Sequence, residues 1–130
     1  MIVIDASLLV DVLLNTSVAT RIAQRLSSSG SSLHVPHLVD VEIMHSLRRL
    51  VRIGKVHEAR ALEVLSDFAD LDLTRYPHSP FLQRIWELRH NLSAYDAVYV
   101  ALAEALDAPL LTRDVFLASA PAHDAKIELF

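Results

Sequence analysis

Residues 93–114 read SAYDAVYVALAEALDAPLLTRD, and the two halves of this stretch decide the architecture. From Ala94 to Leu106 the chain is apolar at almost every position, so a helix here is apolar nearly all round and has to be buried. Pro109 interrupts it. Leu110-Leu111-Thr112 then forms a short, non-alternating run of the kind found in strands covered on both faces.

The same alternation runs outward through the chain. Ile2-Val3-Ile4 is a β-branched run ending at Asp5, Leu33 to Val35 is a second closed by Pro36, and Leu71 to Thr74 is a weaker third. Ile127 to Phe130 makes a terminal fifth strand. Between them, Val18, Ile22 and Leu26 recur at helical spacing and predict a helix over 17–27. Further helices are expected over 37–53, over 56–70 with Leu62, Leu65 and Ala69 on one face, and over 80–90. A shorter helix follows Asp5 through Leu8 to Leu14, and Ser27 to Ser32 reads as a surface loop. Strands alternating with helical crossovers imply a parallel sheet with helices on both sides. The expected fold is one α/β domain over 1–130, with three layers around a mostly parallel sheet.

Composition narrows the chemistry. At 130 residues and 52% hydrophobic content the chain builds one real core and is not disordered. Its only glycines are Gly30 and Gly54, which excludes a glycine-rich phosphate loop. With no cysteine there is no disulfide, thiolate zinc site or cysteine nucleophile, which fits a reducing, cytoplasmic setting. No apolar run reaches the roughly 18–20 residues of a membrane span. The first residues contain Asp5 and Asp11 and lack a basic leader, so they are not read as a signal peptide. The formal charge of −4 argues against phosphate binding through a basic surface alone. A nuclease escapes that objection if some of its acids work under cations.

Four acids stand at places where a ligand would meet them. Asp5 ends the first strand and Asp114 follows another, and the carboxyl ends of parallel strands open into the binding crevice. Asp96 lies near the start of the buried helix, and Glu42 sits in the helix after Pro36, on one stripe with His45 and Arg49. Each also has an ordinary reading. Asp5 and Asp114 are good helix caps, Ser93 and Asp96 make a capping-box variant, and Glu42 pairs with Arg49 on a solvated face. If the four converge, their repulsion is large: about 4 kcal/mol for two unit charges about 4 Å apart at an effective dielectric near 20. Such a group holds protons or takes a cation, and oxygen-only ligands suit Mg²⁺ or Mn²⁺.

At this point the residues resemble a known family, the PIN domains, and most closely the VapC-type toxins of toxin–antitoxin pairs. Four pieces carry the likeness: Ile2-Val3-Ile4-Asp5-Ala6-Ser7; Pro36 with Glu42; Ser93-Ala94-Tyr95-Asp96-Ala97 leading into Tyr99-Val100-Ala101-Leu102-Ala103; and Leu110-Leu111-Thr112-Arg113-Asp114 with Leu117-Ala118. The resemblance implies a Mg²⁺- or Mn²⁺-dependent endoribonuclease acting on RNA, a homodimer, and a cognate antitoxin whose tail covers the active site. It makes Asp5, Glu42, Asp96 and Asp114 the catalytic, metal-holding acids, with Ser7 and Thr112 as supporting hydroxyls. Two departures stand out. Val115 and Phe116 replace residues that are often basic or polar, and Asp107 takes a helix end where glycine is usual.

The densest basic group is Arg48, Arg49, Arg52 and Lys55, with Arg84, Arg89 and His90 forming a smaller one. These are the candidate contacts to RNA phosphates, and an ordinary solvated helix face is the alternative. The seven histidines form no metal signature; His34 and His37 straddle a strand, and Tyr95 and Tyr99 read as core or interface. A haloacid-dehalogenase-like phosphatase also opens on a strand ending in Asp, but it needs an acid where Ser7 stands. A catalytically silent PIN-like binding module would not need all four acids.

Overall fold

A computed structural model describes residues 1–130. Its five strands are β1 (Ile2–Ile4), β2 (Leu33–Pro36), β3 (Leu73–Tyr76), β4 (Leu110–Thr112) and β5 (Ile127–Leu129). They form one sheet in the order β3-β2-β1-β4-β5, and every pairing is parallel. The helices are α1 (Ala6–Leu13), α2 (Ala19–Ser29), α3 (Leu38–Arg52), α4 (Glu58–Ala69), α5 (Leu82–Glu87), α6 (Ala94–Leu106) and α7 (Val115–Ser119). A single 3₁₀ turn over Ser79–Phe81 precedes α5.

Side-chain alternation along the strands divides the core in two. Ile2, Ile4, Val35 and Leu111 point to a core with α1, α2, α3 and α4. Val3 and Leu110 point to a second with α6, Leu88, Leu92 and Leu117. The result is the expected three-layer α/β/α arrangement. Helix α6 is buried without a break from Ala97 to Ala103, as its composition requires. No helix is long and apolar enough to cross a membrane.

Several boundaries differ from the sequence reading, each for a local reason. The third strand is Leu73–Tyr76 and not Leu71–Thr74. It is an edge strand: only Leu73 is buried, and Thr74 and Arg75 face outward, so its apolar signal is diluted. The helix expected over 17–27 runs instead from Ala19 to Ser29, taking in the first three residues of the serine tract read as loop, while Gly30 to Ser32 forms the loop as expected. There Ser27, Ser28 and Ser29 return their hydroxyls to the carbonyls of Gln24, Arg25 and Leu26, so the serines are satisfied inside the helix. Gly30, at φ 54°, then ends it in the left-handed region. The helix expected over 80–90 is broken into the 3₁₀ turn and the six-residue α5. His34 is buried, with its ring held between Ser32 and the Tyr76 hydroxyl. Burial lowers its pKa.

Helix α6 ends on Asp107, at φ 45°, a conformation that costs a side-chain-bearing residue energy glycine does not spend. The Asp107–Lys126 ion pair is almost fully exposed and offsets little of this. Asp107→Gly is therefore expected to raise stability by about 0.5–1 kcal/mol. A urea-denaturation midpoint that does not rise would count against strain at this cap.

Candidate active site

The chain leaves β1 for β2 and β3 on one side and then crosses to β4 and β5 on the other, so the sheet switches direction between β1 and β4. Open parallel sheets form their binding crevice at such a switch point. Asp5 stands at the carboxyl end of β1 and Asp114 just past β4. Asp96 lies in the first turn of α6, and Glu42 in the early turns of α3. All four line one cleft of ≈ 840 Å³.

Each acid is held by its own chain. Asp5 is buried; its Oδ1 accepts the Leu8 amide at 2.9 Å and the Ser7 hydroxyl at 2.7 Å, and its Oδ2 accepts the Thr112 hydroxyl. The Leu8 bond is the expected cap of α1, so capping and placement at the site coincide in one residue. Thr112 also accepts the Asp114 amide at 2.9 Å, so one buried hydroxyl joins the Asp5 and Asp114 segments. Asp114 caps α7 through Oδ1, taking the amides of Phe116 and Leu117. Ser93 caps α6 as expected, its hydroxyl accepting the Asp96 amide at 3.2 Å; the Asp96 carboxylate closes the turn by accepting from that hydroxyl at 3.1 Å, and not from the Ser93 amide as in a full capping box. Glu42 does not pair with Arg49; its Oε2 accepts the Tyr99 hydroxyl at 2.5 Å.

Tyr99 is thus buried, as expected, but it also serves the site. Its spacing of three from Asp96 on α6, which puts both on one helix face, is the signal for this in the sequence. Tyr95, one position before Asp96, is exposed and lines the cleft, so it is not core. Two further residues escape the sequence reading: Arg113, which lines the cleft, and buried Asp11 on α1, which accepts from it at 2.7 Å.

Electrostatics tie the four acids together. Burial raises the Asp5 carboxyl above its ordinary range, hydrogen bonds from Thr112, Ser7 and Leu8 oppose this, and the Asp114 charge adds to it. Glu42 is raised by burial and then, against the Tyr99 bond, by Asp5 and Asp96. Asp96 is raised by burial and by Asp114. The Tyr99 phenol is pushed well above its usual value by burial and by Glu42. The charge of at least one other acid of the cleft thus raises each of Asp5, Glu42 and Asp96.

The acids face one space without closing on one point, since no three acid or histidine side chains stand together as a finished coordination group. Their donor chemistry nevertheless suits a hard divalent cation. Glu42 Oε1, Asp96 Oδ1 and Asp114 Oδ2 have no hydrogen-bond donor within the chain, while the other oxygen of each carboxylate is held. Oxygen donors of like charge with an unpaired oxygen each are what Mg²⁺ or Mn²⁺ prefers.

The basic candidates lie elsewhere. Arg48, Arg49, Arg52 and Lys55 are exposed, without ion pairs, on or just beyond the far end of α3, and none lines the cleft. Arg89 is exposed and stacks on Trp86, 4.6 Å from the ring centre. Arg84 is not free for RNA: it is clamped by Glu104 at 2.8 Å and 2.9 Å and reaches Glu87 at 3.2 Å. At the position where a dehalogenase-like phosphatase requires its acid, Ser7 donates to Asp5 instead.

Comparison with known proteins identifies the family. The family model described as PIN domain matches residues 2–121. Ribonuclease VapC1 of Mycobacterium tuberculosis is 43% identical over 128 residues, covering 98% of this chain and 96% of its own. Ribonuclease VapC9 of the same organism is 47% identical over 117 residues, covering 90% and 88%. Among solved structures, VapBC2 from Rickettsia felis, bound to a promoter DNA fragment, superposes with a TM-score of 0.72 at 14% identity, covering 100% of this chain and 99% of that one. The chain belongs to the PIN-domain family and, within it, to the VapC group.

Proposed function

We propose that this protein is a metal-dependent endoribonuclease and the toxin of a toxin–antitoxin pair, with Asp5, Glu42, Asp96 and Asp114 as its catalytic acids. The observation that carries the reading is the shared cleft lined by four carboxylates from four segments of the chain, three of which, Asp5, Glu42 and Asp96, are raised in part by the charges of the others. Kinship with proteins named VapC ribonucleases supports RNA as the substrate.

The chain's own part in the reaction is positioning. Thr112, Ser7 and the Leu8 amide fix the Asp5 carboxylate in one orientation. Tyr99 and Ser93 do the same for one oxygen of Glu42 and one of Asp96, leaving the other oxygen of each without a donor in the chain. When bound by these four acids, Mg²⁺ or Mn²⁺ would supply positive charge to the phosphodiester and acidify the attacking water. Without that charge the acids would repel the RNA backbone they have to receive.

Exposed apolar side chains at the cleft support a protein cover. Val41 and Tyr95 line it, and Phe116, 87% exposed, is bonded through its amide to Asp114. These fit the antitoxin tail and the homodimer that the family implies. A cytoplasmic location goes with that partnership.

The test is cleavage of single-stranded RNA by the purified chain. Cutting should require Mg²⁺ or Mn²⁺, stop with EDTA, return on adding metal back, and leave 5′-phosphate and 3′-hydroxyl ends. Cleavage indifferent to EDTA, or none with either ion, would contradict the reading.

The exposed Arg48, Arg49, Arg52 and Lys55 group, with Arg89, is the best candidate for holding more distant phosphates. Reversing charge at Arg49 and Arg52 should weaken RNA binding. The slope of log affinity against log salt should flatten by about 0.7 for each phosphate no longer neutralised. An unchanged slope would retire this part of the reading.

A further inference from the structure

Arg113 is the one permanently positive side chain lining a cleft that otherwise presents four acids. It is also anchored. Its Nη1 donates to Asp11 Oδ2 at 2.7 Å, and the Asp11 side chain is only 7% exposed, whereas that of Arg113 is 48% exposed. The other Asp11 oxygen accepts the Thr16 hydroxyl at 2.6 Å, so both oxygens of the anchor are occupied and it has little freedom to turn. The remaining guanidinium donors of Arg113 make no hydrogen bond within the chain. A guanidinium carries five N–H donors in a planar fork that matches phosphate. Here one arm is tied to a buried carboxylate, and the rest belongs to a half-exposed side chain that lines the cleft.

From this geometry we propose that Arg113, positioned by Asp11, grips an RNA backbone phosphate next to the one that is cut. The inference rests on the nuclease reading and deepens it. A polyanion approaching four carboxylates needs a fixed positive charge to set its register, and the acids themselves surround the place where the reacting phosphate is activated. Because the tether has already restricted the arginine's rotamers, little side-chain freedom remains to be lost on gripping. The competing explanation is that the Asp11–Arg113 pair only staples α1 to the turn after β4.

Steady-state cleavage separates the two. The substrate is a single-stranded RNA carrying the cut site mapped by end-sequencing total RNA digested with the wild-type chain. Arg113→Gln should raise KM roughly ten- to hundredfold, the scale of one hydrogen-bonded charge contact, with kcat nearly unchanged. Arg113→Lys keeps the buried Asp11 charge paired but loses the fork, and should raise KM by less. Asp11→Asn should also raise KM while leaving the arginine in place. RNAs with one neutral methylphosphonate linkage, walked along the strand, give the discriminating readout. Wild type should lose affinity at one linkage beside the cut, and Arg113→Gln should lose nothing further there. A staple would produce no such position-specific coupling. Unchanged KM in both Arg113 variants, or identical methylphosphonate losses in wild type and variants at every linkage, overturns the proposal while wild-type cleavage upholds the nuclease reading. A wild-type chain that cuts no RNA with Mg²⁺ or Mn²⁺ sinks that reading, and this one with it.

Discussion

Asp96→Asn is expected to give a folded protein that does not cut RNA. The substitution keeps the shape and one acceptor oxygen for the Ser93 hydroxyl, and the Ser93 cap of the Asp96 amide does not involve the carboxylate at all. What it removes is one charge from the cleft. Losing a single preorganised electrostatic group from a catalytic centre costs on the order of 10²–10³ in rate. The stability change should run the other way. Burial and the Asp114 charge raise the Asp96 carboxyl above its ordinary value. A raised carboxyl binds its proton more readily folded than unfolded, so near neutral pH its charge weighs against the native state. Removing that charge should leave the melting temperature in metal-free buffer unchanged or slightly higher. Activity lost while stability is kept or gained is the signature of a functional acid. Full cleavage by a well-folded Asp96→Asn protein would refute the assignment.

The second large effect is expected at Thr112, which is completely buried. Its hydroxyl donates to Asp5 and accepts from the Asp114 amide, so it holds two acid-bearing segments in register. Thr112→Val keeps the volume and removes both bonds. It leaves the Asp114 amide and one Asp5 oxygen without their partner, at a cost of about 1–3 kcal/mol. Cleavage should fall about 10- to 100-fold, the range for removing a group that orients a metal-holding side chain. Thr112→Ser restores the hydroxyl and should recover most of the activity while remaining slightly less stable. If Val and Ser variants cleave equally well, the hydroxyl does not position Asp5.

The parts of the molecule that sequence makes legible are those where one physical rule dominates. Helix α6 is apolar all round and can only be buried, and β1 and β4 are short apolar runs that fit only interior strands. The helix caps are legible too. Asp5, Asp114 and Ser93 cap as expected, and two of these caps are also acids of the site. Where two rules compete, the sequence misleads. Strand β3 lies at the sheet edge and lacks a continuous apolar signal, and the serines of α2 satisfy their hydroxyls within the helix.

Pairings between distant segments are the least visible. Glu42 and Tyr99 lie 57 residues apart, and Asp11 and Arg113 lie 102 apart. No local pattern announces either pair, because only the parallel order of the sheet brings their segments together. The expectation that Glu42 pairs with Arg49 fails for this reason: helical spacing favours a local neighbour, and the partner is a distant phenol. The two small charge clusters divide along the same line. Sequence groups Arg84 with Arg89, yet Arg84 is engaged by Glu104, twenty residues away in the chain.

Four acids from separate segments acting as one cation-holding group is the claim on which the proposed chemistry depends. Titration of the metal-free protein with Mn²⁺, followed by electron paramagnetic resonance, tests it most directly, with Asp5→Asn, Glu42→Gln, Asp96→Asn and Asp114→Asn measured beside the wild type. The expected result is saturable Mn²⁺ uptake by the wild type, weakened by every one of the four substitutions. Wild-type protein that takes up no Mn²⁺ saturably, or Glu42→Gln and Asp114→Asn variants that bind it as tightly as wild type, would contradict the claim.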